Sequence, residues 1–138
     1  MAQTILVPVD FEEGSHRALE VANDLATKLG ARLVLLHAYT LPVYAYPGMA
    51  PIQAPTLDTE VEAAAKQALD RLATRWGNPR ALLRQGDPAT VILDAIAEIE
   101  PAFVVMGTHG RRGLERLVLG SVAERVARRS TVPVMTVR

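Results

Sequence analysis

Residues 102–106 read "AFVVM", and residues 107–121 follow as "GTHGRRGLERLVLGS". The first stretch is a short valine-rich apolar run, the pattern of a strand buried on both faces. The second carries four of the chain's nine glycines. Each glycine held in one conformation costs roughly 0.5–1 kcal/mol relative to alanine in regular structure. So much freed backbone just past a buried strand calls for a structural or a binding reason.

Upstream, strand and helix patterns take turns. Thr4–Asp10 (TILVPVD) reads as a strand with a polar end. Ala18, Leu19, Ala22, Leu25, Ala26 and Leu29 then recur at helical spacing, with Ser15 placed to cap that helix and Gly30 to stop it. Ala31–Tyr39 (ARLVLLHAY) is a second buried strand, with His37 as a strand residue satisfied by the backbone. Thr59 and Glu62 have the spacing of a capping box at the start of a helix reaching Trp76. Its apolar stripe is Val61, Ala64, Ala65, Ala68, Leu69 and Leu72. Arg80–Gly86 is a weaker strand, and Asp87-Pro88 opens a helix with Val91, Ile92, Ala95, Ile96 and Ile99 inward. A last helix over residues 122–129 and a strand over Val132–Val137 close the chain. The order βαβαβαβαβ, with strands apolar throughout, predicts a parallel doubly wound α/β sheet covered on both faces. In such sheets ligands bind beyond the carboxyl ends of strands where the strand order reverses. That rule selects Asp10, His37-Ala38 and Gly107.

Composition bounds the function. The 138 residues are 49% hydrophobic and 22% charged, with no cysteine, which predicts one globular domain over 1–138 without disulfides or thiolate metal sites. The start has no secretory pattern and no stretch is apolar enough to span a membrane, so a cytoplasmic location is expected. Net charge is zero, yet residues 101–138 hold seven arginines against Glu115 and Glu124. That basic tail fits nucleic acid, a small phosphorylated ligand or a solvated helix face.

Gly107 and Gly110 permit positive φ, which turns successive N–H groups toward one anion. Ser121-x-x-Glu124 has the spacing of a capping box, which makes Ser121 the expected N-cap of the last helix. The free amides and dipole of a helix start attract phosphate. A glycine turn on one side and a helix start on the other form a phosphate clamp. Arg111 and Arg112 have two readings, as bidentate phosphate donors or as solvent-exposed side chains. No Gly-Lys pair is present for a Walker loop, and no G-x-G-x-x-G follows the first strand.

The spacing from Gly107 through Gly110 to Gly120-Ser121 resembles the signature of the universal stress protein family: G, two residues, G, nine residues, then G and S or T. "ILVPVD", "RALEVA", "LLHAY", "QGDPATVIL" and "VPVMTVR" extend the resemblance over the whole chain. The resemblance implies an ATP-binding member with a flavodoxin-like strand order 3-2-1-4-5. It implies that Asp10 contacts the ribose, that the Pro8 and Val9 backbone lines the adenine, and that Ala38 packs on the base. Met106 would lie near base or ribose, Gly107, His109 and Gly110 near sugar and phosphates. Gly120, Ser121, Val122 and Ala123 would hold the phosphate chain, with magnesium carried by the nucleotide. Ala123 stands where relatives place a hydroxyl residue, which removes one phosphate donor. The resemblance also implies a homodimer through the last strand, with Val132, Val134, Met135 and Val137 at the contact.

No base-and-nucleophile arrangement emerges, so binding is expected rather than turnover. A regulatory stress protein occupied by ATP, ADP or AMP leads. A slow ATPase or autophosphorylating protein and a nucleotide-free interaction module remain as alternatives. Neither nucleic acid nor membrane is expected as a partner, and a protein partner is left unnamed. The uncharged proline- and tyrosine-rich stretch 38–57 is too long for an ordinary connection.

Overall fold

The apolar strands alternate their side chains between two cores. The computed structural model describes residues 3–43, 47–52, 55–108 and 119–138. Along the chain come β1 (Thr4–Pro8), α1 (Glu13–Leu29), β2 (Arg32–Tyr39), α2 (Pro55–Arg75), β3 (Arg80–Gln85), α3 (Pro88–Ile99), β4 (Phe103–Gly107), α4 (Ser121–Arg129) and β5 (Val134–Val137). The five strands form one parallel sheet in the order β3-β2-β1-β4-β5, as the resemblance implied.

Ile5, Val7, Leu33, Leu35 and Val105 face α1 and α2, while Leu6, Val34, Leu36, Val104 and Met106 face α3 and α4. The segregation follows from handedness. The right-handed crossovers β1-α1-β2 and β2-α2-β3 move one way along the sheet and place their helices on one face. The crossovers through α3 and α4 move the other way and cover the opposite face. The reversal falls between β1 and β4, so a crevice opens beyond their carboxyl ends. No described helix is long and apolar enough to cross a membrane.

Helix starts differ from the sequence expectation at three places. The N-cap of α1 is Glu12, and Ser15 lies inside the first turn, buried, where Asp10 engages its hydroxyl. α2 begins at Pro55, a residue that tolerates the first helical position because it has no N–H to satisfy. Thr59 therefore donates its hydroxyl to the Pro55 carbonyl instead of capping. Gly120, not Ser121, is the N-cap of α4, held there because its N–H donates to Thr108 O at 2.7 Å. The α2 stripe is narrower than expected: Leu69, Leu72 and Ala73 are buried, and Ala64 is exposed. Ala38 and Tyr39 complete β2 and Pro55–Leu57 opens α2, so the connection within 38–57 is shorter than the sequence suggested. β5 starts at Val134. Ser130 Oγ accepts from Val132 N and donates to Val132 O in a tight turn, and the Pro133 carbonyl accepts from Val104 N.

Gly107 is glycine for a different reason than positive φ, which it does not adopt. A Cβ built there would lie 2.9 Å from the carbonyl carbon of Gly14 and 3.0 Å from its oxygen. The end of β4 and the first turn of α1 approach backbone to backbone, and neither can give way as a flexible side chain would. Replacing Gly107 with alanine is expected to lower stability by about 1–3 kcal/mol through this overpacking. Urea unfolding of the variant checks it; an unchanged midpoint contradicts the close approach.

Candidate functional site

A cavity of about 560 Å³ opens at the carboxyl ends of β1, β2 and β4, where the strand order reverses. Its walls are apolar, from Leu36, Ala38 and Met106 on the strands and Pro88, Ile92 and Val122 on the helices. Its rim is polar and largely backbone: Asp10, Glu12 and Ser15 on one side, Gly107 and Thr108 beside them, and Gly120–Ala123 opposite. A slot with apolar walls and polar groups converging at one end suits a flat ring carrying a charged tail.

Asp10 is locked by α1. Its N–H donates to Ser15 Oγ at 2.9 Å, and that hydroxyl donates back to Asp10 Oδ1 at 2.5 Å. Glu12 N–H also donates to Oδ1, at 2.9 Å. All these carboxylate contacts fall on Oδ1, so Oδ2 takes no protein partner among the described residues and remains able to accept from a ligand hydroxyl.

The β2 edge supplies a second polar feature. Val9 N–H donates to Leu36 O at 2.8 Å, whereas Tyr39 O accepts from Gly86 on the β3 side. Backbone groups alternate sides along a parallel strand, so Leu36 and Ala38 face β1 and their odd-numbered neighbours face β3. The β1–β2 pairing ends at Pro8 and Leu36. Among the described residues no group bonds the Ala38 N–H or C=O. A donor and an acceptor therefore stand side by side at the apolar slot. Val9, expected to offer its backbone, has both groups engaged: its N–H is on Leu36 O and its carbonyl accepts from His37 Nδ1 at 2.7 Å.

The third feature is the start of α4. Glu124 N–H is the first to find an i−4 carbonyl, that of Gly120, at 2.9 Å. The Ser121, Val122 and Ala123 amides precede it and belong to the helix's positive end. Gly120 contributes no donor, since Thr108 O takes its N–H. Thr108 N–H in turn donates to Val137 O at 3.0 Å, so the backbone of one residue ties β5 to the N-cap of α4.

Every expected ligand residue within the described stretches lines the cavity: Pro8, Val9, Asp10, Ala38, Met106, Gly107, Gly120, Ser121, Val122 and Ala123. His109, Gly110 and Arg111 lie outside the described residues. Sequence reasoning missed Glu12, Ser15, Leu36, Pro88, Ile92 and Thr108 as lining residues; His37, which it placed at the ligand edge but read chiefly as a strand residue, lines the cavity too. For Leu36 a signal existed, because it shares the period-2 face of Ala38.

α4 is also held from α3. The Asp87 carboxylate caps α3 by accepting from Thr90 N–H and Oγ1, and Arg125 Nη1 on α4 reaches the same Oδ2 at 3.1 Å.

A doubly wound parallel fold with a cavity at its strand-order reversal, walled by apolar side chains and rimmed by a helix start, defines a class of small-ligand-binding α/β proteins. Within that class the chain belongs to the universal stress protein family, whose family model matches residues 1–138. A Thermus aquaticus universal stress protein is 39% identical over the full length of both chains. The solved universal stress protein UspA from Lactobacillus plantarum is 25% identical, with a TM-score of 0.80 over 99% of this chain and 97% of its own. A universal stress protein solved in complex with cAMP is also 25% identical, with a TM-score of 0.69 over 99% of this chain and 97% of its own.

The Thr90 amide, then its hydroxyl, and the Arg125 guanidinium hold the Asp87 carboxyl below its ordinary range. A folded-state value below the unfolded one stabilises the fold above the unfolded value, and this is lost as pH falls through the folded value. Asp87→Asn keeps a capping acceptor and removes the charge. The variant should melt below the parent at neutral pH, with the gap closing toward strong acid. Melting temperatures across a pH series at low salt check it.

Proposed function

We propose that this chain binds an adenine nucleotide in the cavity at the strand-order reversal, and that occupancy regulates its contacts with other proteins. The observation that carries the reading is an Ala38 N–H and C=O at an apolar slot that no group among the described residues bonds. Adenine offers an acceptor at N1 beside a donor at N6, the complement of that pair. Hypoxanthine and guanine present the reverse, a donor at N1 beside a carbonyl. The base lies between Ala38, Met106 and Ile92, and Asp10 Oδ2 accepts from a ribose hydroxyl. The Ser121, Val122 and Ala123 amides take a phosphate. His109, Gly110 and Arg111 act on the phosphate side. The cAMP complex of a relative supports an adenine nucleotide as the ligand class. The spacing of Gly107, Gly110, Gly120 and Ser121 supports ATP within it, with magnesium entering on the phosphates.

Ligand at a hundred times its dissociation constant stabilises a fold by roughly 2.7 kcal/mol, about 10 °C in melting temperature at this size. ATP and AMP titrations read by thermal shift should show a rise of that order, and GMP should show none. No shift with either adenine nucleotide rejects the reading.

The same proposal includes a homodimer through β5. This strand pairs with β4 on one side, lies last in the sheet order, and leaves Met135 41% exposed. An apolar edge of this kind invites pairing with a second copy about a two-fold axis. Met135→Glu, which places a charge on that edge, should convert a dimer to a monomer in sedimentation. A parent protein that sediments as a monomer refutes the dimer.

A further inference from the structure

We propose that His37 and Phe11 are positioning residues that hold the Ala38 peptide edge open and so set the base selectivity of the site; this rests on the adenine-nucleotide reading above. The register shows what they prevent. With Pro8 opposite Leu36, the next pair of the ladder would set Asp10 opposite Ala38. In that pair Ala38 N–H would donate to Val9 O, and Phe11 N–H would donate to Ala38 O. Neither bond forms, and one residue stands at each. His37 Nδ1 lies 2.7 Å from Val9 O; the carbonyl can only accept, so the imidazole donates and competes for the oxygen that Ala38 N–H would have used. Phe11 adopts φ +66°, a left-handed conformation rare for a bulky side chain, so the chain leaves the strand direction there and the ladder does not continue.

The two residues also support each other. The Phe11 ring lies against the His37 imidazole, with centroids 4.4 Å apart and planes inclined at 44°. That contact gives the unfavourable φ a partner, and the imidazole anchors both the start of the turn, at Val9, and its apex, at Phe11. The edge left open is the one that distinguishes an adenine from a 6-oxopurine. Without the strut, β1 can extend by one pair and seal Ala38. Binding would then rest on the ribose and phosphate contacts, which are blind to the base.

The test uses His37→Ala, with His37→Asn as the variant that keeps a donor for Val9 O. Isothermal titration with AMP and IMP reads selectivity. In the parent, AMP should be favoured on the order of a hundredfold, since IMP mispairs with both peptide groups at about tenfold each. In His37→Ala the ratio should fall toward one, with AMP affinity down on the order of a hundredfold and IMP affinity little changed. His37→Asn should retain most of the preference. Phe11→Leu should shift in the same direction as His37→Ala. Amide exchange of the ligand-free protein gives a second readout. Ala38 N–H should exchange freely in the parent and become at least about tenfold slower in His37→Ala, the opposite of what simple loosening of the fold produces. An unchanged AMP-to-IMP ratio, or an Ala38 amide equally exposed in both proteins, overturns the proposal. A parent that binds no adenine nucleotide overturns the function reading instead, and the exchange measurement then decides the strut on its own.

Discussion

The bond from Val9 N–H to Leu36 O, the last rung between the two central strands, governs what the rest of the molecule can do. One more rung would give a complete sheet corner and no exposed peptide edge. The ladder stops there because the chain turns at Phe11, and the turn is fastened from both sides. Ser15 holds Asp10 from α1, and His37 holds Val9 from β2. A left-handed phenylalanine costs on the order of 1–2 kcal/mol. Part of the stability of the two adjoining cores is thus diverted to keeping a concave, partly unsatisfied surface.

The opposite side of the cavity is built by the same means. Gly107 and Gly14 bring β4 and α1 into backbone contact, so the Asp10 turn and the end of β4 cannot drift apart without breaking a close packing. The Thr108 backbone then bonds Val137 of β5 with its N–H and the Gly120 cap of α4 with its carbonyl. The helix start that faces the cavity is therefore indexed to the edge strand of the sheet. From the other flank, Asp87 and Arg125 fix α4 to α3. Backbone contacts place the rim, and the side-chain clasps are secondary to them.

This explains what was legible in the sequence. The alternation of valine-rich runs with 3.6-residue stripes is a local signal, and it carried the element order and the two-faced sheet. Gly30, with φ +66° and its N–H on Ala26 O, ended α1 where the pattern placed it. Asp87-Pro88 capped α3 because both features of that cap lie within four residues. The caps at Ser15, Thr59 and Ser121 were misplaced because the competing partners are tertiary: the Asp10 turn, an earlier proline, and the Thr108 carbonyl. The site divides along the same line. Asp10, Ala38 and Gly107 sit at strand ends and follow from a topological rule. Pro88 and Ile92 enter the cavity only because α3 packs across β2, and no local pattern encodes a crossing. Gly107 serves close helix–strand packing and not φ freedom, two needs that look identical in a sequence.

A site made of peptide groups also accounts for how loosely the family is bound by residue identity. The charged side chains among the described lining residues are Asp10 and Glu12, both acidic, so among those residues it is the helix amides that offer positive potential to an anion. A main-chain donor and acceptor survive any substitution that leaves the backbone path intact. In this chain the path is shaped by a glycine without room for Cβ, a strained turn and an imidazole on a carbonyl. A relative of 25% identity that superposes with a TM-score of 0.80 is what such a constraint permits. The walls can drift in identity as long as they stay apolar and of similar volume, because the slot asks of them only shape and dryness. Ligand chemistry in this fold is consequently written in where the chain turns, and only secondarily in which side chains it carries.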